Sequence, residues 1–267
     1  MKKRILSTCF LLFFLVSFSF SQTERLDYKK IDYISVENGN DREFLNTVKG
    51  AMSSAYQELI EAGEVKSWRL YKVNFPGGER SNYNYVNIVT TEDVRSFEDN
   101  FSNISSLYFI PKSNETDGLN TLASIVDLQA SEIWKVRSLI STDNGDSDKP
   151  SRYMTMDFMN VAQGRGLEYL MLEDEVAMPL HKERISRDNM TGWEVYSLIL
   201  PGGTEYGYNF ATGNYFDHIE DVEFGFTQEL IKQTMPGTDV ADLLETIYET
   251  RDLVKSELWE LITYKKR

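Results

Sequence analysis

"SWRLYKVNFPGGERSNYNY" runs from Ser67 to Tyr85, and "GWEVYSLILPGGTEYGYNF" runs from Gly192 to Phe210. Each is an extended run that breaks at Pro-Gly-Gly and resumes at Tyr-Asn. An offset of 125 (Trp68 to Trp193) aligns them and also pairs Tyr71 with Tyr196, Tyr83-Asn84 with Tyr208-Asn209, and Pro111 with Pro236. The same offset pairs Asp32 with Asp157, and Ser131-Glu132-Ile133-Trp134 with Ser256-Glu257-Leu258-Trp259. Without a gap, roughly a quarter of the positions between Tyr28 and Trp134 match their partners, against roughly 6 in 100 from average composition. The chain is written twice.

The reading outward from the hairpin is the same in both copies. Within Lys66–Phe75, Tyr71, Val73 and Phe75 share one strand face and Trp68 and Leu70 the other. Both faces are therefore expected to be covered. Pro-Gly-Gly supplies a strand end and the backbone freedom of a tight reversal, and a further strand starts at Tyr83. Upstream, a short strand (31–37; 156–161 in the second copy) precedes a long helix. That helix is expected to be capped by Asp41 and ended by Gly63, with Phe44, Val48, Met52, Ala55 and Leu59 on its buried face. Downstream, Asp217 and Glu220 form a capping-box pattern. An amphipathic segment, 117–129, leads to a last strand near 133–140, whose partner is 258–264.

The order β-α-β-β-α-β is ferredoxin-like. The fold class is α+β: two tandem ferredoxin-like modules packed sheet to sheet as a pseudo-dimeric barrel. The expected boundaries are a signal peptide at 1–21, a first module at 22–142, a linker at 143–150 and a second module at 151–267. The leader has a basic start at Lys2-Lys3-Arg4, an apolar run from Ile5 to Phe20 and small residues before a cut after Ser21. It predicts export to the periplasm or outside the cell, with no membrane attachment after cleavage.

Cys9, the single cysteine, lies inside that leader, so the mature chain has no thiol chemistry. With 28 basic and 42 acidic residues the chain has a formal charge of −14, which disfavours nucleic acid as a partner. No phosphate loop or nucleotide fingerprint is present, and no acids and histidines fall at metal-ligand spacing.

The long first helix, the Trp68/Trp193 strand openings, the Pro-Gly-Gly hairpins and the Tyr-Asn-Tyr/Phe starts resemble the dimeric α+β barrel superfamily, antibiotic-biosynthesis monooxygenases included. The resemblance spans nearly the whole mature chain. It implies a barrel built by one polypeptide, hence a monomer, with a pocket between sheet and helices in each module. The superfamily holds cofactor-free oxygenases, isomerases and haem enzymes. None of its catalytic signatures recurs here residue by residue, so it assigns no catalytic role and calls for no cofactor.

The candidate ligand-binding residues are Tyr71, Tyr83, Asn84, His181, Tyr196, Tyr208 and Asn209. The tyrosine hydroxyls and asparagine amides would orient a small, mostly apolar or aromatic ligand in twin pockets. Retention in both copies fits a structural role equally well. His181 replaces Tyr56 on the long helix and has the chemistry of a base or a haem ligand. Trp68, Trp193, Trp134 and Trp259 read as core. Asp32 and Asp157, acids inside strands, are less easily explained by packing.

Overall fold

The apolar character of both strand faces has its reason in the sheet these strands join. The computed structural model describes residues 27–76, 82–97, 122, 124–141 and 149–267. The leader, most of the linker, Gly77-Gly78 and the segment 98–121 lie outside the described residues.

The first module contributes β1 (Tyr28–Val36), β2 (Ser67–Phe75), β3 (Tyr85–Thr91) and β4 (Val126–Ser141). The second contributes β5 (Tyr153–Val161), β6 (Gly192–Leu200), β7 (Phe210–Phe216) and β8 (Arg251–Lys266). Each strand of the second module starts 125 residues after its counterpart. All neighbours are antiparallel, and the order β1-β3-β2-β8-β5-β7-β6-β4 closes into a barrel. Each half has the ferredoxin-like order, and β2–β8 and β6–β4 are the two seams.

The last strands are longer than the sequence pattern suggests, because each must serve two neighbours. Val126–Lys135 pairs with β1, while Ile133–Ser141 pairs with β6 across the seam. β8 does the same with β5 and β2. Residues 126–129, expected to finish a helix, are therefore strand.

Outside the sheet, α1 (Asp41–Thr47), a π-helical stretch (Val48–Met52) and α2 (Ser53–Glu61) run end to end. Their equivalents are α3 (Gly166–Leu172), a π-helical stretch (Glu173–Ala177) and α4 (Met178–Ser186). Phe44, Val48, Met52 and Ala55 are buried as their spacing predicts, and Gly63 ends the helix with φ +78°. Asp41 does not cap: Asn40 holds the cap position, and the Asp41 carboxylate accepts the Tyr85 hydroxyl at 2.6 Å. Nor do Asp217 and Glu220 form a capping box. Asp217 accepts the Arg152 amide, and only a 3₁₀ turn (Ile219–Glu223) follows, before α5 (Gln228–Thr234) and α6 (Val240–Thr250).

Three layers result. Ile31, Val86, Trp134, Met156, Phe158 and Trp259 fill the barrel interior. Trp68 and Leu70 pack beneath the first module's helices, and Trp193 and Val195 beneath the second's. All four tryptophans are fully buried. At ~25 cal/mol per Å² and ~150–250 Å² each, they contribute roughly 4–6 kcal/mol apiece before entropy. In the second hairpin Gly203 has φ +121°, which a side chain disfavours.

A chain truncated after Ser141 loses the partners of β2 and β4 and opens the interior around Trp134. It is expected to dimerise or aggregate in sedimentation velocity runs; a stable monomer would contradict the shared-strand barrel.

Candidate functional site

The barrel interior is closed at both ends by buried polar clusters. Near one end Glu194 accepts from Lys29, Tyr196 and Tyr215. Burial alone would raise its carboxyl, but the Lys29 charge and the three donors hold it at about 2. Near the other end Glu132 accepts from Tyr33 (2.7 Å), Trp134 Nε1 (2.8 Å), Tyr206 and Tyr208. Glu257 beside it accepts from Tyr83 (2.6 Å), Trp259 Nε1 (2.9 Å) and Lys255 (3.1 Å).

These contacts place six of the seven candidate residues away from any space between sheet and helices. Tyr71 and Tyr196 sit in the barrel interior, and Tyr83 and Tyr208 end on the glutamates. Asn84 and Asn209 do one structural job twice. Each side-chain amide accepts from and donates to the backbone of Val36 or Val161, closing the end of the β1 or β5 ladder. His181, by contrast, lines a cavity.

That cavity, about 280 Å³, lies between the sheet and the helices of the second module. Its walls include Thr155, Asp157, Glu173, Ala177, His181, Arg184, Trp193 and Arg251, with Val222, Phe224 and Phe226 from the segment before α5. The first module places a stacked pair of rings at the same position. There the Tyr56 ring stacks on Trp68 with centroids 4.7 Å apart and planes 12° apart. The indole N–H donates to Asn87 at 2.6 Å; Asn87 donates to Asp32 at 3.1 Å, and Lys30 pairs with that aspartate.

The differences between the two copies at these positions all open or charge the second. Lys30 becomes Thr155, Met52 becomes Ala177 and Tyr56 becomes His181. Apolar Val48, Leu59 and Val126 become Glu173, Arg184 and Arg251. Thr212 replaces Asn87, so the Trp193 indole N–H has no acceptor. Asp157 keeps the place of Asp32 but loses its lysine, and accepts instead from Asn214 (2.9 Å) and Ser256.

Burial shifts the groups that line this space. It raises Glu173 to about 7, against the opposing effects of the Tyr169 hydroxyl and the Arg251 charge. Burial, aided by the Arg184 charge, lowers His181 to about 3, so the imidazole is neutral at ordinary pH. Burial brings Arg184 down to about 10, and it raises Asp157.

The His181 ring lies 5.1 Å from Trp193 and 4.9 Å from Phe226, centroid to centroid. Arg184 donates to its Nδ1 at 3.4 Å. Nδ1 is then the acceptor and the proton sits on Nε2, so the ring's one free lone pair points at the guanidinium and not at an incoming iron. A metal-bound histidine normally donates its second N–H to a carboxylate or carbonyl; here a guanidinium stands in that place. The residues do not fit haem. Among the described residues no cluster of three or more His, Cys, Asp or Glu is placed to hold a metal ion, and no helix is long and apolar enough to cross a membrane.

No protein-family model matches the sequence, and no curated protein sequence does. Solved structures do match. A candidate monooxygenase from Fusobacterium nucleatum aligns over 91% of this chain and 95% of its own, with TM-score 0.57 and 9% identity. One from Lactobacillus acidophilus aligns over 90% and 96%, with TM-score 0.52 and 9% identity. The fold is the dimeric α+β barrel. A haem-binding protein from Thermus thermophilus is also similar, over 88% of this chain and 91% of its own, with TM-score 0.49 and 9% identity. At such identities the barrel is shared, and its chemistry must be read from each chain's own residues.

The sequence reading passes over Glu173, Arg184, Trp193 and Arg251 as site residues because it favours what the copies share. For Glu173, Arg184 and Arg251 the signal lies in where the copies differ: two helix positions and one strand start that are apolar once and charged the second time.

Glu173 provides a test. Its carboxyl is raised above the unfolded value, so its contribution to stability is full below about pH 4.5 and is lost as pH rises through about 7. Urea unfolding should show wild type losing stability relative to Glu173→Gln between about pH 5 and pH 8, by up to roughly 3 kcal/mol. A difference independent of pH would contradict a buried, neutral Glu173.

Proposed function

We propose that the chain is an exported, monomeric binding protein that takes one small, partly aromatic molecule in the cavity of its second module. The observation that carries this reading is the contrast between the copies. One fold position, in one polypeptide, carries apolar residues and a Tyr56–Trp68 stack in the first module and a charged cavity wall in the second. Buried charges and unpaired donors are destabilising unless something satisfies them. Glu173, Arg184 and Arg251 make no ion pair within 4 Å among the described residues, as a site that a ligand completes would require. The volume, about 280 Å³, falls just below the ~300–1,000 Å³ typical of small-molecule pockets, as suits a small ligand.

The division of labour is then simple. The first module and the barrel interior are scaffold; the second module binds. The leader favours export, and the single-chain barrel favours a monomer because its seams are already paired. Fold similarity to candidate monooxygenases is compatible with a small organic ligand.

The test restores the first module's side chains. Ala177→Met with His181→Tyr should fill the cavity and leave the melting temperature equal or higher. Thermal shift against a panel of small phenols, aromatic acids and amides is expected to give stabilising compounds for wild type and none for the filled variant. Equal shifts in both proteins, or a Soret band on adding haemin that requires His181, would contradict the reading.

A further inference from the structure

The walls of this cavity carry a more specific message than its size, one that rests on the reading just given. We infer that the ligand is an organic carboxylate, its acid group held by Arg184, Arg251 and the Trp193 indole N–H, and its apolar body lying among Trp193, Phe224 and Phe226.

Three buried nitrogen atoms on the cavity's residues have no hydrogen-bond partner: Trp193 Nε1, Arg184 Nε and Arg251 Nε. All three are donors. Buried donors are nearly always paired in folded proteins, so the missing partner is an acceptor, and one with several lone pairs. Two of the three belong to guanidinium groups, whose planar fork matches a carboxylate. Neither arginine is committed elsewhere. Arg184 donates weakly to His181 and lies 5.8 Å from the Phe216 ring, and neither arginine forms an ion pair within 4 Å among the described residues.

The acids lining the cavity do not take that role. Asp157 has its oxygens occupied by Asn214 and Ser256. Glu173, raised to about 7 by burial, is neutral below that pH. Two guanidinium groups thus face the cavity with no ion-pair partner within 4 Å among the described residues, and an incoming carboxylate supplies one. The remaining walls combine rings and aliphatic chains, Val222, Phe224 and Phe226 among them, with the hydroxyls of Thr155, Thr212 and Ser256 and the Asn214 amide. At about a water's share of ~30 Å³ per atom, the space takes on the order of ten non-hydrogen atoms, the size of a small aromatic acid. A metal is not needed to hold it.

Glu173 makes the binding pH-sensitive. It is faced by Tyr169 from α3, Arg251 from β8, Asp157 from β5 and its neighbour Asp174. Across the cavity stand Arg184 and His181 from α4, the latter neutral. Ionisation of Glu173 adds a negative charge that competes for Arg251. Affinity for an anion therefore falls as pH rises through about 7.

The experiment is a calorimetric titration of the full chain with benzoate, cinnamate and 1-naphthoate, each beside its neutral amide. At pH 6 the best acid is expected to bind at least tenfold tighter than its amide. Arg184→Met and Arg251→Met should each weaken the acid by tenfold or more and leave the amide unchanged. The preference for the acid should shrink at pH 8, and Glu173→Gln should abolish that change. Should an amide match its acid in wild type, the carboxylate inference is overturned while ligand binding in the cavity stands. Binding that survives Ala177→Met/His181→Tyr, or no binding by any of the six compounds, would overturn the cavity reading as well. The acid–amide comparison uses the unaltered protein, so it holds even if an arginine variant fails to fold.

Discussion

Everything in this molecule hangs on β4 and β8, each of which pairs with its own module along one half and with the other module along the rest. Backbone donors and acceptors must find partners, and an open sheet edge invites pairing with another chain. Sharing the last strands removes every edge at once. It also fixes where side chains go. Residues alternating along a strand have only two destinations, the barrel interior or the layer beneath the helices. The interior is completed by Trp134 and Trp259 and closed by Glu194, Glu132 and Glu257 with their donors. The outer layer beneath the second module's helices holds the cavity that His181 lines.

Joining both halves in one chain lets the two outer layers diverge. Two identical subunits would have to be filled or open together; here each module has its own residues. In the first, Lys30 neutralises Asp32 and Tyr56 covers Trp68. In the second, the corresponding threonine and histidine leave Asp157 and Trp193 bordering a cavity. Exchanging Val48, Leu59 and Val126 for Glu173, Arg184 and Arg251 replaces apolar packing with charge in a poorly hydrated layer, a destabilising change by itself. Such changes are tolerated where they serve binding, and perturbed groups cluster at such sites.

Much of the architecture was legible from the hairpin stretches. The helix face ending at Gly63, the two-sided strand Ser67–Phe75 and the offset of 125 come from local periodicity and self-comparison, and the solved structures share the resulting barrel. The lengths of β4 and β8 were not legible, because pairing across a seam leaves no local mark. Asp41 was misjudged since Tyr85, distant in sequence, takes its carboxylate. Among the site candidates, paired retention drew attention to Asn84 and Asn209, which turn out to finish the strand ladders in both modules. His181 stood out because its counterpart is Tyr56. The charged residues around it follow the same rule of difference, but only the folded chain shows that they face one space.

The central proposal is that the cavity of the second module holds one ligand. Native mass spectrometry of the full chain titrated with cinnamate counts occupied sites directly. The account predicts a single bound molecule per chain at saturation, and none after Ala177→Met/His181→Tyr. Two molecules per chain, or one that persists in the filled variant, would contradict it.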